Sequence, residues 1–213
     1  MIFAILPVKS PHNAKQRLKD FLAVEQRETL ARMLYRQTLA ALCQAEGIDR
    51  VVVVTSDFEA AEHARRSGAL VFEESEQVSH SASADAACLR AMELGALTAL
   101  LVPIDVPTAT PADFSQLAAC AREKSGLIVV PSSDGTGTNA LARTPPDCIE
   151  SRFGPGSFRK HLDQALSKGL PADVLQLPGL MFDIDTPEDV DELLAREHGC
   201  QVSNFLRAAC ASK

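Results

Sequence analysis

Short, wholly apolar runs alternate along this chain with segments of helical periodicity, and few folds accommodate that pattern. Residues 2–8, 51–55, 69–72, 99–102 and 127–131 are such runs. They lack the apolar–polar alternation of a half-exposed strand, so each is expected to be a strand covered on both faces. Between them, residues 25–46 repeat Leu30, Met33, Leu34, Thr38, Ala41 and Leu42 at helical spacing, with Gly47 to stop the helix. Ser56 and Asp57 can cap a helix ending at Gly68, residues 83–94 read as another, and Thr110-Pro111 opens one reaching about Lys124. Strand and helix in alternation predict an α/β fold with a mostly parallel sheet, helices on both faces and right-handed crossovers. We expect a single domain over residues 1–213, with a tail from about residue 200 that forms a short helix against the domain or a second subunit, so a homodimer stays open. In such sheets ligands bind beyond the carboxyl ends of the strands. That makes the loops at 9–17, 104–107 and 132–139 the expected site.

Charge and composition remove several classes. The net charge is −7, with one Tyr and no Trp among the aromatics, which fits neither the basic footprint of a nucleic-acid binder nor a base-stacking surface. No window approaches the roughly 20 apolar residues of a membrane span. Lys9 cuts short the apolar start, so no signal peptide is expected. Six cysteines lie far apart without metal spacing, which predicts reduced thiols in a cytoplasmic protein, each a buried small hydrophobe. The expected partners therefore include neither nucleic acid nor membrane.

The strongest local signal lies at residues 181–189, Met-Phe-Asp-Ile-Asp-Thr-Pro-Glu-Asp. If this is a strand, Asp183 and Asp185 project to one face, where like charges need a cation between them, most simply Mg. Thr186, Pro187, Glu188 and Asp189 then read as a helix start. Asp105 is set in a turn by Pro103 and Pro107 after an apolar strand, and alone it carries no assignment. With the other two carboxylates it fits a site that gathers one or two Mg ions for phosphoryl chemistry, two being expected. Lys9, Lys15 and Arg17 follow the first strand and could meet phosphates, although a charged loop can equally be a solvated one. Neither a dinucleotide fingerprint nor a Walker-type phosphate loop is present.

Two segments rich in small residues, 132–140 and 152–158, are compatible with ordinary loops or with an anion seat at a helix start. Ser157 is the expected cap there. His161, one turn on, could face the same anion or be an exposed helix residue. His12, His63, His80 and His198 are expected at the surface.

Taken in order, Pro7-Val-Lys9, Lys15-x-Arg17-Leu18, Pro103-x-Asp-x-Pro107, Asp134-Gly-x-Gly-Thr-Asn-Ala-Leu141, Arg152-Phe-Gly-x-Gly-Ser157 with His161, and Phe182-Asp-Ile-Asp-Thr-Pro-Glu-Asp189 resemble the 2-phospho-L-lactate guanylyltransferase family. The resemblance implies a Rossmann-like mixed sheet of the nucleotide-diphospho-sugar transferase type, similar to the molybdenum-cofactor guanylyltransferases. It implies transfer of GMP from GTP to a small phosphorylated carboxylic acid, with pyrophosphate released, in the biosynthesis of a deazaflavin redox coenzyme. Phospholactate, phosphoenolpyruvate and phosphoglycerate are the acceptors such relatives use. By the same resemblance Asp105, Asp183 and Asp185 hold Mg and Pro7, Val8, Lys9, Lys15 and Arg17 lie along the GTP phosphates, with Lys15 and Arg17 catalytic. Thr138, Gly154 and Ser157, with Asn139 and His161 beside them, meet the acceptor. Where relatives carry an Asn-containing stretch after the third strand, this chain has Ser81-Ala-Ser-Ala-Asp-Ala86. A transferase of the same fold using another nucleotide or a sugar or pterin acceptor, and a non-catalytic nucleotide-binding relative, are the competing readings.

Overall fold

The computed structural model describes residues 1–74, 79–196 and 200–211. Seven strands, β1 (Ile2–Val8), β2 (Arg50–Thr55), β3 (Leu70–Glu73), β4 (Thr98–Leu101), β5 (Gly126–Pro131), β6 (Thr138–Thr144) and β7 (Ala172–Val174), form one sheet. Their order is β3-β2-β1-β4-β6-β5-β7. The first five strands fall where the apolar runs placed them.

Helices α1 (Val24–Gln44), α2 (Phe58–Arg66), α3 (His80–Glu93), α4 (Pro111–Glu123) and α5 (Ser157–Ser167) cover the sheet, and α6 (Pro178–Met181), α7 (Pro187–Ala195) and α8 (Gln201–Ala211) complete the chain. Strand β1 explains why both faces need cover. Ala4, Leu6 and Val8 enter one core with residues of α1, α2 and α4, such as Leu39, Ala60 and Phe114. Phe3 and Ile5 enter another with Ala84 and Cys88 of α3 and Ala165 of α5. A period of two in a strand sends alternate apolar side chains to opposite layers. Asp57 Oδ1 accepts a hydrogen bond from the Ala60 N–H at 2.8 Å, capping α2 as expected.

Strand β6 is the departure that matters for function. It runs antiparallel to both neighbours, β4 and β5, whereas β1 is parallel to β2 and β4. The sequence suggested only a loop through residue 139, because β6 opens on Thr-Asn and carries Arg143 rather than an apolar run. The three-residue β7 is likewise unforeseen; its residues are all exposed. Residues 182–186 are not the strand that Asp183 and Asp185 suggested: the chain is irregular between α6 and α7.

Phe182 and Ile184 instead plug into a third apolar cluster with Leu18, Leu30, Val190 and Leu206. That cluster seats the tail, since α8 packs on α1 and α7 of its own chain. The cysteines need correcting. All six are free thiols, but only Cys88 is buried, Cys43 is exposed, and the other four are half-buried. Among the described residues no helix is long and apolar enough to cross a membrane.

Candidate active site

The site begins where β1 ends. Beyond Pro7 and Val8 the chain turns through short helical turns at Pro11–Asn13 and Gln16–Leu18. Leu18 is anchored in the third apolar cluster. Lys15 sits between the turns with φ +51°, a left-handed conformation unusual for a non-glycine residue.

Its contacts explain why the fold holds it there. The Lys15 ammonium donates to Asp105 Oδ2 and Asp185 Oδ1, both at 3.1 Å, and to the Ile184 carbonyl oxygen at 2.6 Å. The Lys15 side chain is only 7% exposed. Burial alone would lower the Lys15 pKa, but the two carboxylates overcome it and the net shift is upward. The converse holds at Asp105, where burial pushes upward and contact with the Lys15 ammonium brings the carboxyl below its ordinary value. Arg17 extends the positive edge: its guanidinium is 3.5 Å from Asp185 Oδ2 and mostly exposed.

The two acidic loops are tied together by backbone. Ile184 N–H donates to the Asp105 carbonyl at 3.0 Å. Asp189 Oδ2 accepts from the N–H groups of Asp185 and Thr186 at 2.8 and 2.7 Å, so the expected helix start at Thr186 also fixes the backbone of Asp185. Asp183 is held differently. Its Oδ1 accepts from Asn139 Nδ2 at 3.0 Å, and the same amide donates to the Met181 carbonyl. Burial raises the Asp183 carboxyl to about 6; the Asn139 bond opposes this, and the charges of Asp105, Asp185 and Asp189 add to it.

The expected convergence of three carboxylates is therefore met in part. Lys15 joins Asp105 and Asp185, while Asp183 turns to Asn139. Among the described residues no three acidic, His or Cys side chains are grouped to hold an ion by themselves. The physical reason is that an ammonium already occupies the space between two of them. The donor set still suits a hard divalent cation, because it is all oxygen.

These groups open onto a cavity of about 680 Å³, whose lining includes Lys9, Lys15, Arg17, His80, Asp105 and Asp185. Pro7 and Val8 line it too. Its size and its place beyond the carboxyl ends of β1 and β4 suit a small ligand such as a nucleotide.

The residues that the resemblance assigns to the acceptor lie at the start of β6 and around the start of α5. Because β6 is reversed, its first residues, Thr138 and Asn139, lie at the sheet edge where β1 and β4 end. The turn before them is built by Asp134, whose carboxylate accepts from Ser132 Oγ and from the Thr136 N–H and hydroxyl. Those bonds hold its pKa down, at about 2. Gly137 is required there, since a Cβ would come within 2.9 Å of Ser132 Oγ.

Ser157 is not the helix cap. Gly156, at φ +69°, takes that position, and Ser157 is the first, buried residue of α5. His161 is buried completely rather than facing an anion. One ring nitrogen lies 3.1 Å from Thr138 Oγ1 and the other accepts from the Arg152 N–H at 2.9 Å.

His12 is exposed, as expected, and meets Glu28 at 2.9 Å. His63 and His80 instead line the cavity, and His198 lies outside the described residues. Sequence reasoning missed His80 for lack of any signal beyond the helix start it occupies. Phe153 lies between the cavity and the start of α5, its ring meeting His80 edge-on at 5.0 Å and His161 at 5.3 Å.

Comparison with known proteins agrees with this architecture. The profile of the family described as "Guanylyl transferase CofC like" matches residues 2–212. A phosphoenolpyruvate guanylyltransferase of Sphaerobacter thermophilus is 40% identical over 89% of this chain and 91% of its own length. A 2-phospho-L-lactate guanylyltransferase of Methanothermobacter thermautotrophicus is 31% identical over 96% of this chain and 89% of its own. A solved structure from Desulfovibrio desulfuricans, described provisionally as a nucleotide-diphospho-sugar transferase, superposes with a TM-score of 0.80 at 14% identity, covering 99% of this chain and 95% of that one. At that identity the likeness is one of fold.

Proposed function

This chain belongs to the CofC-like guanylyl transferase family, and from that premise we propose that it transfers GMP from GTP to the phosphate of a small phosphorylated carboxylic acid, releasing pyrophosphate. The acceptor class comprises phosphoenolpyruvate, 2-phospho-L-lactate and 3-phospho-D-glycerate, and the product feeds formation of a deazaflavin coenzyme. One observation carries the reading: Lys15 draws Asp105 and Asp185, from separate loops, to one point at the mouth of a cavity large enough for a nucleotide.

The chemistry follows from charge. A phosphate monoester has a second pKa near about 6, so the acceptor is largely a dianion at neutral pH and needs no general base. Its oxygen attacks the α-phosphorus of GTP and the bond to pyrophosphate breaks. The barrier is repulsion between two anions. Lys9, Lys15 and Arg17 neutralise the triphosphate and align it with the attacking oxygen. Asp105 and Asp185, with Asp183 beside them, would hold Mg, which lends further positive charge to the phosphates. Thr138, Asn139, Gly154 and Ser157 form the wall against which the acid lies.

The test offers GTP and Mg with each of the three acids, and then CTP, UTP and ATP with any acid consumed, following pyrophosphate and product mass. The expected result is one acid converted with GTP, one pyrophosphate per product. Nucleotide binding without pyrophosphate release, whichever acid and nucleotide are offered, would reject the reading and favour a nucleotide-binding relative without transferase activity.

A further inference from the structure

Among the described residues His161 is the only fully buried histidine, and its two hydrogen bonds determine where its proton sits. The partner of Nε2 is the Arg152 N–H at 2.9 Å. A backbone amide can only donate, so Nε2 carries a lone pair and no proton. In a neutral ring the proton is then on Nδ1, 3.1 Å from Thr138 Oγ1. The ring donates and the hydroxyl oxygen accepts. Among the described residues Thr138 Oγ1 has no other hydrogen-bond partner, so its own proton must point away from the ring.

We propose that His161 is a positioning residue for the acceptor: locked as the Nδ1–H tautomer, it turns Thr138 into an obligate hydroxyl donor toward the phosphorylated acid, and it ties the Arg152–Phe153 loop to β6 while doing so. The proposal rests on the acceptor wall assigned above.

A direct ligand or base role is excluded by occupancy, since both ring nitrogens are already engaged. Three further observations support the lock. Phe153 packs edge-on against the ring. Burial and the charges of Arg143 and Lys160, against the opposing pull of Asp85, lower the His161 pKa to about 4. A cationic ring would also set a second N–H against that of Arg152.

The loop tied by His161 is anchored separately. Ser151 N–H and Oγ both donate to the Asp85 carboxylate, which also receives the buried Arg143 guanidinium. His161 therefore need not hold the loop unaided, and its specific contribution is the orientation of the Thr138 hydroxyl.

The first arm of the test is a long-range nitrogen–proton NMR spectrum of the ¹⁵N-histidine-labelled protein. It should show His161 neutral and protonated on Nδ1 at pH 7, and unchanged at pH 5. An Nε2–H tautomer, or an imidazolium at pH 7, overturns the proposal. The second arm is kinetic. His161→Asn keeps a donor near the Nδ1 position, whereas His161→Gln keeps an acceptor near Nε2. Both His161→Gln and Thr138→Val should raise the acceptor KM about tenfold, the order of one hydrogen bond to an anion, with the GTP KM unchanged. His161→Asn should raise it much less. Equal effects in the Asn and Gln variants, or a parallel rise in the GTP KM, would mean a merely structural role and overturn the proposal. If the wild type guanylylates no acid, the proposed activity fails and the spectrum alone decides the tautomer; if it does and the two variants match, the activity stands and the proposal falls.

Discussion

Lys15 accepts a left-handed backbone, which costs a non-glycine residue on the order of 1 kcal/mol, and in return its ammonium reaches two carboxylates and a carbonyl at once. Its neighbours Asp105 and Asp185 are partly open to solvent, at 25% and 40% of the side chain, so the cluster is accessible to ligands. Lys15→Met removes the countercharge between Asp105 and Asp185 and, on the proposed reading, one of the cations that neutralise the triphosphate. Turnover should fall by about 100-fold or more, the scale of losing one strong electrostatic contact at a transition state. At the same time Mn²⁺ should bind the variant more tightly than the wild type in calorimetric titration, because ammonium and cation compete for the same oxygens. Unchanged turnover would remove Lys15 from the reaction, and weaker Mn²⁺ binding would remove the competition. Lys15 was visible in the sequence as a cation after an apolar strand. Asp105 and Asp185 were visible too, as carboxylates; their pairing with Lys15 was not, because they lie 90 and 170 residues further on.

At the scale of elements, the reversed strand β6 has two roles. Its first residues supply Thr138 and Asn139 to the site, and its far end buries Arg143 against α3. Arg143 is 1% exposed and donates to Asp85 at 2.8 Å, to the Ile149 carbonyl at 2.6 Å and to Cys88 Sγ at 2.6 Å. It thereby fixes the segment that leads into the Gly154–Gly156 turn. Arg143→Met would take the Arg143 donor from the Ile149 carbonyl and Cys88 Sγ and leave the one-third-exposed Asp85 carboxylate to Ser151 alone, a loss on the order of 2 kcal/mol. The urea midpoint should fall with the slope unchanged. By contrast Arg152→Met, which breaks an exposed pair with Glu150, should cost less than about 1 kcal/mol. Similar losses for the two would show that the clamp adds nothing beyond surface charge. No pattern announced β6, since Thr-Asn-Ala-Leu-Ala-Arg-Thr matches neither an apolar run nor a clean alternation.

At the scale of the whole molecule, stability should depend on pH through the histidines. His63, His80 and His161 all have lowered pKa values, burial being the leading cause in each. Such a group binds its proton more readily in the unfolded chain. Its stabilisation is complete above an unfolded pKa of about 6.5 and is lost as pH falls toward the folded value. For His161, folded near about 4, the loss across that window is about 3 kcal/mol. Asp183, raised to about 6, acts in the opposite sense, so the test compares wild type with His161→Phe. The difference in unfolding free energy between them should shrink as pH drops from 7 to 4.5; a difference that stays constant would contradict the burial of a neutral His161.

The layered sheet, its first five strands and the helix starts capped by Asp57, Thr110 and Thr186 were determined by the sequence. Those features depend on local periodicity and on motifs only a few residues long. The tertiary structure alone decided which carboxylates meet, that Asp183 pairs with Asn139, that Ser157 lies inside its helix, and that His161 and His80 are turned inward. Each of these depends on contacts between segments far apart in the chain, and on a strand whose direction is chosen by its neighbours in the sheet rather than by its own residues.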